Sequence, residues 1–253
     1  MGKIIAVANQ KGGVGKTTTT VNLGSCVAAL GKKVLIIDID PQSNCTSGLG
    51  VDKNLPYSSY DVLINDRDIA NSIHKTMIDT LYLLPSSAHL SGAEVELVNE
   101  MARETRLKTA TRKIKDEYDF IFIDCPPSLG LLTLNALTAA DTVMIPIQCE
   151  YFALEGLSQL HDTIKRARRS LNPELVIEGI VLTMYDARTN LSEQVSQEIS
   201  RHFGEKVYKT VIPRNVRLSE SPSFGLPITL YDPGCVGAKA YHSLANEFLA
   251  NNR

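Results

Sequence analysis

Nothing in this sequence points to a disulfide scaffold, a membrane or export. Its five cysteines, Cys26, Cys45, Cys125, Cys149 and Cys235, are odd in number, widely spaced and include no C-x-x-C pair. That argues against a disulfide framework or a zinc knuckle and fits a reducing compartment, so a cytoplasmic protein is expected. No apolar run approaches the roughly 20 residues needed to cross a bilayer. No basic region followed by a long apolar stretch opens the chain, so no signal peptide is read. Met1 and Gly2 begin like a myristoylation site, but Ala6 stands where Ser or Thr is required. The formal net charge is only -2, too little to create a global field that would draw the chain onto DNA or an anionic surface. Any such binding must come from a local patch. There is no internal repeat, low-complexity tract or Pro/Gly/Ser-rich linker.

The 253 residues, 43% of them apolar and 21% charged, suit one sizeable globular domain spanning 1–253. Short apolar runs at 3–8, 34–37, 81–84, 120–123, 143–147 and 176–183 read as strands. Runs that are apolar throughout are buried on both faces, the mark of a parallel sheet. Between them, helical spacing is predicted at 17–30, 103–115, 129–139, 154–170, 192–203 and 238–249, with Gly31 as a C-cap. The pattern is weakest over 50–78, which reads as partly irregular. Strands alternating with helices imply an α/β fold: a doubly wound, mostly parallel sheet with helices on both faces.

Residues 3–20 run K-I-I-A-V-A-N-Q-K-G-G-V-G-K-T-T-T-T. A strand feeds a glycine-rich turn, and the turn opens a helix, which is the context of a phosphate-binding P-loop. Gly12, Gly13 and Gly15 let backbone N–H groups approach phosphate oxygens without a Cβ in the way. Val14 and Thr18 complete the cradle, and the helix start adds its positive dipole end. Lys16 places a cation on the β and γ phosphates, and Thr17 offers a hydroxyl to Mg²⁺. A chance match to K-G-G-x-G-K-[ST] in such a chain is on the order of one in ten thousand.

Two acidic strand ends follow. V-L-I-I-D-I-D-P at 34–41 ends in Asp38 and Asp40, which share one face of an extended chain at that spacing. Asp38 can support a metal shell, support the loop, or serve as a cap or turn residue. F-I-F-I-D-C-P-P-S at 120–128 gives the Walker B pattern, with Asp124 acting on Mg²⁺ directly or through water. Cys125 reads as a small buried residue. Cations, a metal seat and carboxylates without a strong general base point to slow ATP hydrolysis, suited to a switch.

The phosphate loop departs from G-x-x-x-x-G-K-[ST]: Gln10 replaces the first glycine and Lys11 follows it. In this the stretch resembles the deviant Walker A motif of the ParA/MinD family. The resemblance assigns Lys11 to the nucleotide held by the other subunit of a dimer and Asp40 to positioning the attacking water. It extends over nearly the whole chain and is specific to the partition branch, the ParA or Soj proteins. It includes D-I-D-P-Q-S-N-C-T-S-G-L-G at 38–50, D-C-P-P-S-L-G-L-L-T-L-N-A-L at 124–137 and Q-C-E-Y-F-A-L-E-G at 148–156. L-T-M-Y-D-A-R-T-N-L at 182–191 and I-P-R-N-V-R-L-S-E-S-P-S at 212–223 belong to it as well.

The resemblance implies ATP and Mg²⁺ as cofactors and an ATP-bound sandwich homodimer that holds non-specific DNA of the nucleoid. A ParB/Spo0J-type centromere-binding protein would stimulate hydrolysis and release. It places the adenine at Met184 and at Pro213, Arg214 and Asn215, with Glu150 near a ribose or the dimer interface. Because the chain opens directly on its first strand, the N-terminal helix-turn-helix of larger plasmid relatives is expected to be missing. From 161 to 217 ten Lys/Arg face seven Asp/Glu, a modest basic bias that a solvated helix end at 165–169 explains equally well. By resemblance Arg188 and Arg217, then Arg214, are the expected DNA contacts, to backbone phosphates and not to bases.

Three other assignments compete with this one. A MinD-like membrane-associated positioning ATPase needs a basic amphipathic C-terminal helix, whereas 238–253 carries only Lys239 and Arg253 against Glu247, so no membrane partner is expected. An iron–sulfur ATPase needs paired cysteines. A nucleotide-gated module without catalysis is disfavoured by the intact Asp40.

Overall fold

The computed structural model describes residues 2–150 and 153–252. Met1, Tyr151, Phe152 and Arg253, which the sequence motifs touch, lie outside the described residues. The chain runs β1 (Lys3–Val7), α1 (Lys16–Ala29), β2 (Val34–Asp38), α2 (Asn44–Gly48), α3 (Ser59–Leu63), β3 (His74–Lys75) and β4 (Leu81–Leu84). It continues through α4 (Leu90–Leu97), α5 (Arg106–Arg112), β5 (Phe120–Asp124), α6 (Leu131–Ala139), β6 (Thr142–Gln148), α7 (Ala153–Ser170) and β7 (Val176–Thr183). The last elements are α8 (Asn190–Phe203), α9 (Val216–Glu220), α10 (Ile228–Tyr231) and α11 (Val236–Asn251). A 3-10 turn at Ser221–Phe224 joins α9 to α10.

The sheet order is β3-β4-β2-β5-β1-β6-β7, parallel except for the two-residue edge strand β3. Alternate residues of each strand feed two cores. Ile4 and Ala6 of β1, Leu35 and Ile37 of β2, and Ile121 and Ile123 of β5 pack on one face with α4 to α8. Ile5 and Val7, Ile36, and Phe122 pack on the other with α1 and α11. There Phe248 of α11 meets Phe120 edge-on at 5.0 Å and Phe122 at 5.6 Å. The doubly wound α/β sheet predicted from the sequence is therefore the observed fold.

The chain leaves β1 toward β2 on one side, and β6 closes the other side of β1. The strand order thus reverses around β1, and open α/β sheets bind ligands at the carboxyl ends of the strands beside such a point. β2 and β5 carry their strand geometry through to Asp38 and Asp124, one residue beyond the apolar runs, and the two residues sit in register. Gly31 ends α1 as predicted: its N–H donates to Ala28 O and that of Lys32 to Val27 O.

Several local expectations are corrected. The helix predicted over 103–115 is confined to Arg106–Arg112, because Arg103 folds back to donate to Val98 O and Thr105 and Asn135 anchor the start of the helix. The region 50–78 is partly irregular, as expected: between loops it holds only the short α3, a 3-10 turn at Ile69–Ser72 and the two-residue β3. Ser58 and Asp61 form a capping box that starts α3 without a long apolar period. The sequence pattern also passes over α2, α4, α9 and α10, most of them single turns fixed by tertiary packing.

Candidate nucleotide-binding site

The loop from the end of β1 to the start of α1 is fastened from three sides. Asn9 Nδ2 donates to Pro146 O at 2.8 Å, and Asn9 Oδ1 accepts from Lys11 N at 3.1 Å. Thr183 Oγ1, at the end of β7, donates to Val14 O at 2.8 Å. Gly13 and Gly15 take φ values of 74° and 86°, the left-handed region where a side chain is strained. Their freedom lets the loop curl over the N-terminus of α1, whose first turn leaves its backbone N–H groups free for an anion. Lys16 opens α1. Its buried ammonium donates to Lys11 O at 3.2 Å, closing the loop into a ring. Burial lowers its pKa, and the nearby carboxyls of Asp124 and Asp40 oppose that shift.

Beside the loop stand the acidic residues. Thr17 Oγ1 donates to Asp124 Oδ2 at 2.8 Å, and Thr20 Oγ1 donates to Asp124 Oδ1 at 3.1 Å. Thr17 and Asp124, the two expected metal ligands, are thus side by side. Asp124 is fully buried; desolvation, then the nearby Asp38 charge, pushes its carboxyl above the ordinary range. Asp38, also buried, is pushed up mainly by desolvation.

Of the roles open to Asp38, its hydrogen bonds match support of the loop. Its Oδ2 accepts from both Thr46 N at 2.9 Å and Thr46 Oγ1 at 2.7 Å, and its Oδ1 accepts from Asp40 N at 3.1 Å. It holds the loop and α2. Asp40 Oδ1 accepts from Gln42 N at 2.9 Å, and its carbonyl accepts from Ser86 Oγ at 2.7 Å. Ser86 N in turn donates to Thr46 Oγ1 at 2.9 Å. Asn9, Thr20, Thr46, Ser86 and Thr183 were not singled out from the sequence. Four of them lie inside the quoted motifs, Asn9 and Thr20 in 3–20, Thr46 in 38–50 and Thr183 in 182–191, and Ser86 lies outside them all.

A cavity of about 510 Å³ runs from the loop across α1 and α2 to the 212–226 segment. Gly15, Thr17, Thr18, Met184, Pro213, Arg214 and Asn215 line it, so the helix-start end of the loop shares one space with the residues expected at adenine, while Lys11, Gly12, Gly13, Val14 and Lys16 do not line it. Met184 is held at φ 49°, a turn fixed by the Tyr185–Pro213 bridge. Asn215 Oδ1 is buried without a hydrogen-bond partner. Gly12 lies against Pro127 of the loop after β5. Glu150, expected at a ribose or dimer interface, does not line the cavity; its Oε2 accepts from Lys11 Nζ of the same chain at 2.8 Å.

The three arginines expected on DNA lie on neighbouring segments. Arg214 N donates to Tyr185 O, which brings the Arg188 loop beside it, and Arg217 sits on α9. Arg188 is 88% exposed and donates to Asp186 through Nε at 2.9 Å and Nη2 at 2.7 Å. Arg217 pairs with Glu220 at 2.9 Å and Asp232 at 3.4 Å. Arg188 and Arg217 are thus partly neutralised by their own carboxylates.

A sheet reversing at a glycine-rich loop, with a buried lysine and a threonine–aspartate pair at the helix start, defines a P-loop nucleotide-binding protein. A family model described as an AAA domain matches residues 2–177. The chain is 59% identical to the sporulation initiation inhibitor protein Soj of Bacillus subtilis over 252 residues, 99% of this chain and 100% of that one. It is 53% identical to the chromosome-partitioning ATPase Soj of Treponema pallidum over 252 residues, 100% of this chain and 99% of that one. Among solved structures it resembles a protein described as cobyrinic acid a,c-diamide synthase from Mycobacterium smegmatis, with bound ADP and magnesium. That likeness has 38% identity and a TM-score of 0.86 over 98% of this chain and 94% of that one. The chain belongs to the ParA/Soj family of P-loop ATPases.

Proposed function

We propose that this chain is an ATPase of chromosome or plasmid segregation that works as a nucleotide-gated switch. The observation that carries the reading is the joining of the curled Gly13–Gly15 loop to Thr17 and Asp124, 2.8 Å apart, at the start of α1. The cavity beyond it has the size of a nucleotide site, and the unpartnered Asn215 Oδ1 at its wall suits an amino group such as that of adenine. The donor set fits Mg²⁺: a hydroxyl and a carboxylate, both hard oxygens, with room for waters. When bound, Mg²⁺ would neutralise charge on the phosphates.

The chain's own residues do the rest. Gly12, Gly13, Val14, Gly15 and Thr18 present backbone N–H groups to phosphate oxygens. Lys16 exchanges Lys11 O for phosphate, which regains for its buried ammonium the charge that desolvation opposes. Asp40, its loop pinned by Asp38 and Ser86, orients the attacking water. Lys11 leaves Glu150 to reach a nucleotide across a homodimer interface. The ATP-bound dimer holds non-specific DNA through Arg188, Arg214 and Arg217 until a ParB-type partner stimulates hydrolysis. Nucleoid association follows from that grip.

A membrane-positioning role is less well supported. Among the described residues no helix is long and apolar enough to cross a membrane. The apolar face of α11, Tyr241, Leu244, Ala245 and Phe248, is buried within the fold. The deciding experiment measures duplex binding by the Asp40→Ala protein with ATP, with ADP and without nucleotide. Binding confined to ATP supports the reading. Equal binding in all three states, or none in any, overturns it.

A further inference from the structure

Two glycines far apart in sequence touch through their backbones. Gly50 follows α2, and Gly225 follows the 3-10 turn at Ser221–Phe224. Both are in the left-handed region, at φ 70° and 65°. A Cβ built on Gly50 would lie 2.8 Å from Gly225 O, and one built on Gly225 would lie 2.9 Å from Gly50 Cα. The Met77 methyl lies at the edge of the contact, 3.1 Å from a Cβ built on Gly50, but the closest approach is main chain to main chain, and it fixes the distance between the two segments.

Both segments are walls of the nucleotide cavity. Ser47 and Gly48 of α2 line it on one side, and Ser221, Pro222 and Ser223 on the base side. The start of α2 is tied to the phosphate end of the site. Asp38 accepts from Thr46 N and Oγ1 with one oxygen and from Asp40 N with the other. The end of α2 is tied by Gly50 N donating to Ser47 O and Val51 N donating to Thr46 O. An unbroken path therefore runs from the base-side wall, through the glycine contact and one short helix, to the carboxylate beside the phosphate loop.

We infer that the Gly50–Gly225 contact is a positioning joint that makes the placement of Asp40 depend on how the base seats against the 221–226 wall. It rests on the proposed role of Asp40 in hydrolysis. The joint links recognition of the adenine end of the substrate to the rate at the phosphate end, and it makes Gly50 and Gly225 positioning residues for the ATPase reaction.

The test compares Gly50→Ala, Gly225→Ala and the double variant with Gly31→Ala. Gly31 also has positive φ, 86°, but its added Cβ meets nothing within 4 Å, so it reproduces the backbone strain without the clash. ATP and CTP turnover are measured on the full chain, and nucleotide affinity is measured separately with a non-hydrolysable ATP analogue. Each single variant at the joint is expected to lower kcat for ATP about tenfold or more, as a small misplacement of a reacting group does. Its analogue affinity should change less than about threefold, and its preference for ATP over CTP in kcat should shrink. The double variant should turn over no more slowly than the worse single one, since one added methyl already opens the joint. Gly31→Ala should keep the wild-type kcat.

An unchanged kcat in both single variants overturns the proposal. So does an equal loss in Gly31→Ala, multiplicative losses in the double variant, or a loss that appears only in affinity. Asp40→Ala, run alongside, separates the two readings: wild-type turnover in that variant removes the role of Asp40 itself. Slow turnover there, with intact turnover at the glycines, removes only the joint.

Discussion

At the residue scale the site is governed by groups taken out of water together. Lys16, Asp38, Asp40 and Asp124 are all buried within one loop cluster. Replacing Lys16 with Ala is expected to raise the Kd for Mg-ATP by about 100-fold, the upper end of what a charge-assisted hydrogen bond supplies, as read by calorimetric titration. Asp40→Ala is expected to leave nucleotide binding intact and slow hydrolysis by about 100-fold or more, read by phosphate release.

The buried carboxyls also set a pH dependence. Asp38 and Asp124 have folded pKa values above their unfolded ones, so the native state holds more protons than the unfolded state in the interval between them. Stability of the metal-free protein is therefore expected to fall as pH rises from about 4 through the raised values. Asp124→Asn should flatten that slope in denaturant titrations followed across pH, because the group that must be ionised while buried is gone.

At the scale of elements, α2 shows how a single turn becomes a working part. Its five residues have no helical period of their own, and isolated helices so short do not persist in water. Asp38 supplies what is missing by accepting from Thr46 N and Oγ1. Thr46→Val keeps the shape but leaves a lone pair of a buried carboxylate unmatched. It is expected to cost about 2 kcal/mol in chemical unfolding and to lower kcat together with stability. The sequence did mark the strands and long helices, since their apolar periods extend over many residues. It marked α2, α4, α9 and α10 poorly, since each is stabilised by contacts with distant segments.

At the scale of the whole molecule, the charge distribution has to be local. With a net charge of -2 the chain has no general attraction for DNA. The cluster of Arg188, Arg214 and Arg217 is small, and Asp186 and Glu220 already occupy two of its members. Useful binding would then need two copies of the patch on one duplex, which is what ATP-dependent pairing would bring about. If three arginines from each of two protomers reach phosphates, log K should fall with log salt with a slope of about -5. Arg188→Glu should weaken duplex binding and flatten that slope, while ATP-dependent dimerisation, followed by gel filtration, stays as in the parent protein. Loss of both would place Arg188 in the fold or the interface.

What the sequence by itself determined is the phosphate end of the site. Phosphate binding rests on backbone conformation and cations within one short segment, and residues 10–18 supply both. Asp38, Asp40 and Asp124 were equally legible as strand-end carboxylates, because each closes an apolar run. Their division of labour was not legible. Only the tertiary structure decided that Asp38 braces Thr46 and Asp40, or that Thr17 and Asp124 lie 2.8 Å apart. It likewise decided that Lys11 rests on Glu150, 139 residues away, and that Gly50 meets Gly225. Those pairings are set by which strands lie side by side and how closely their loops pack, and no local pattern along the chain records such distances.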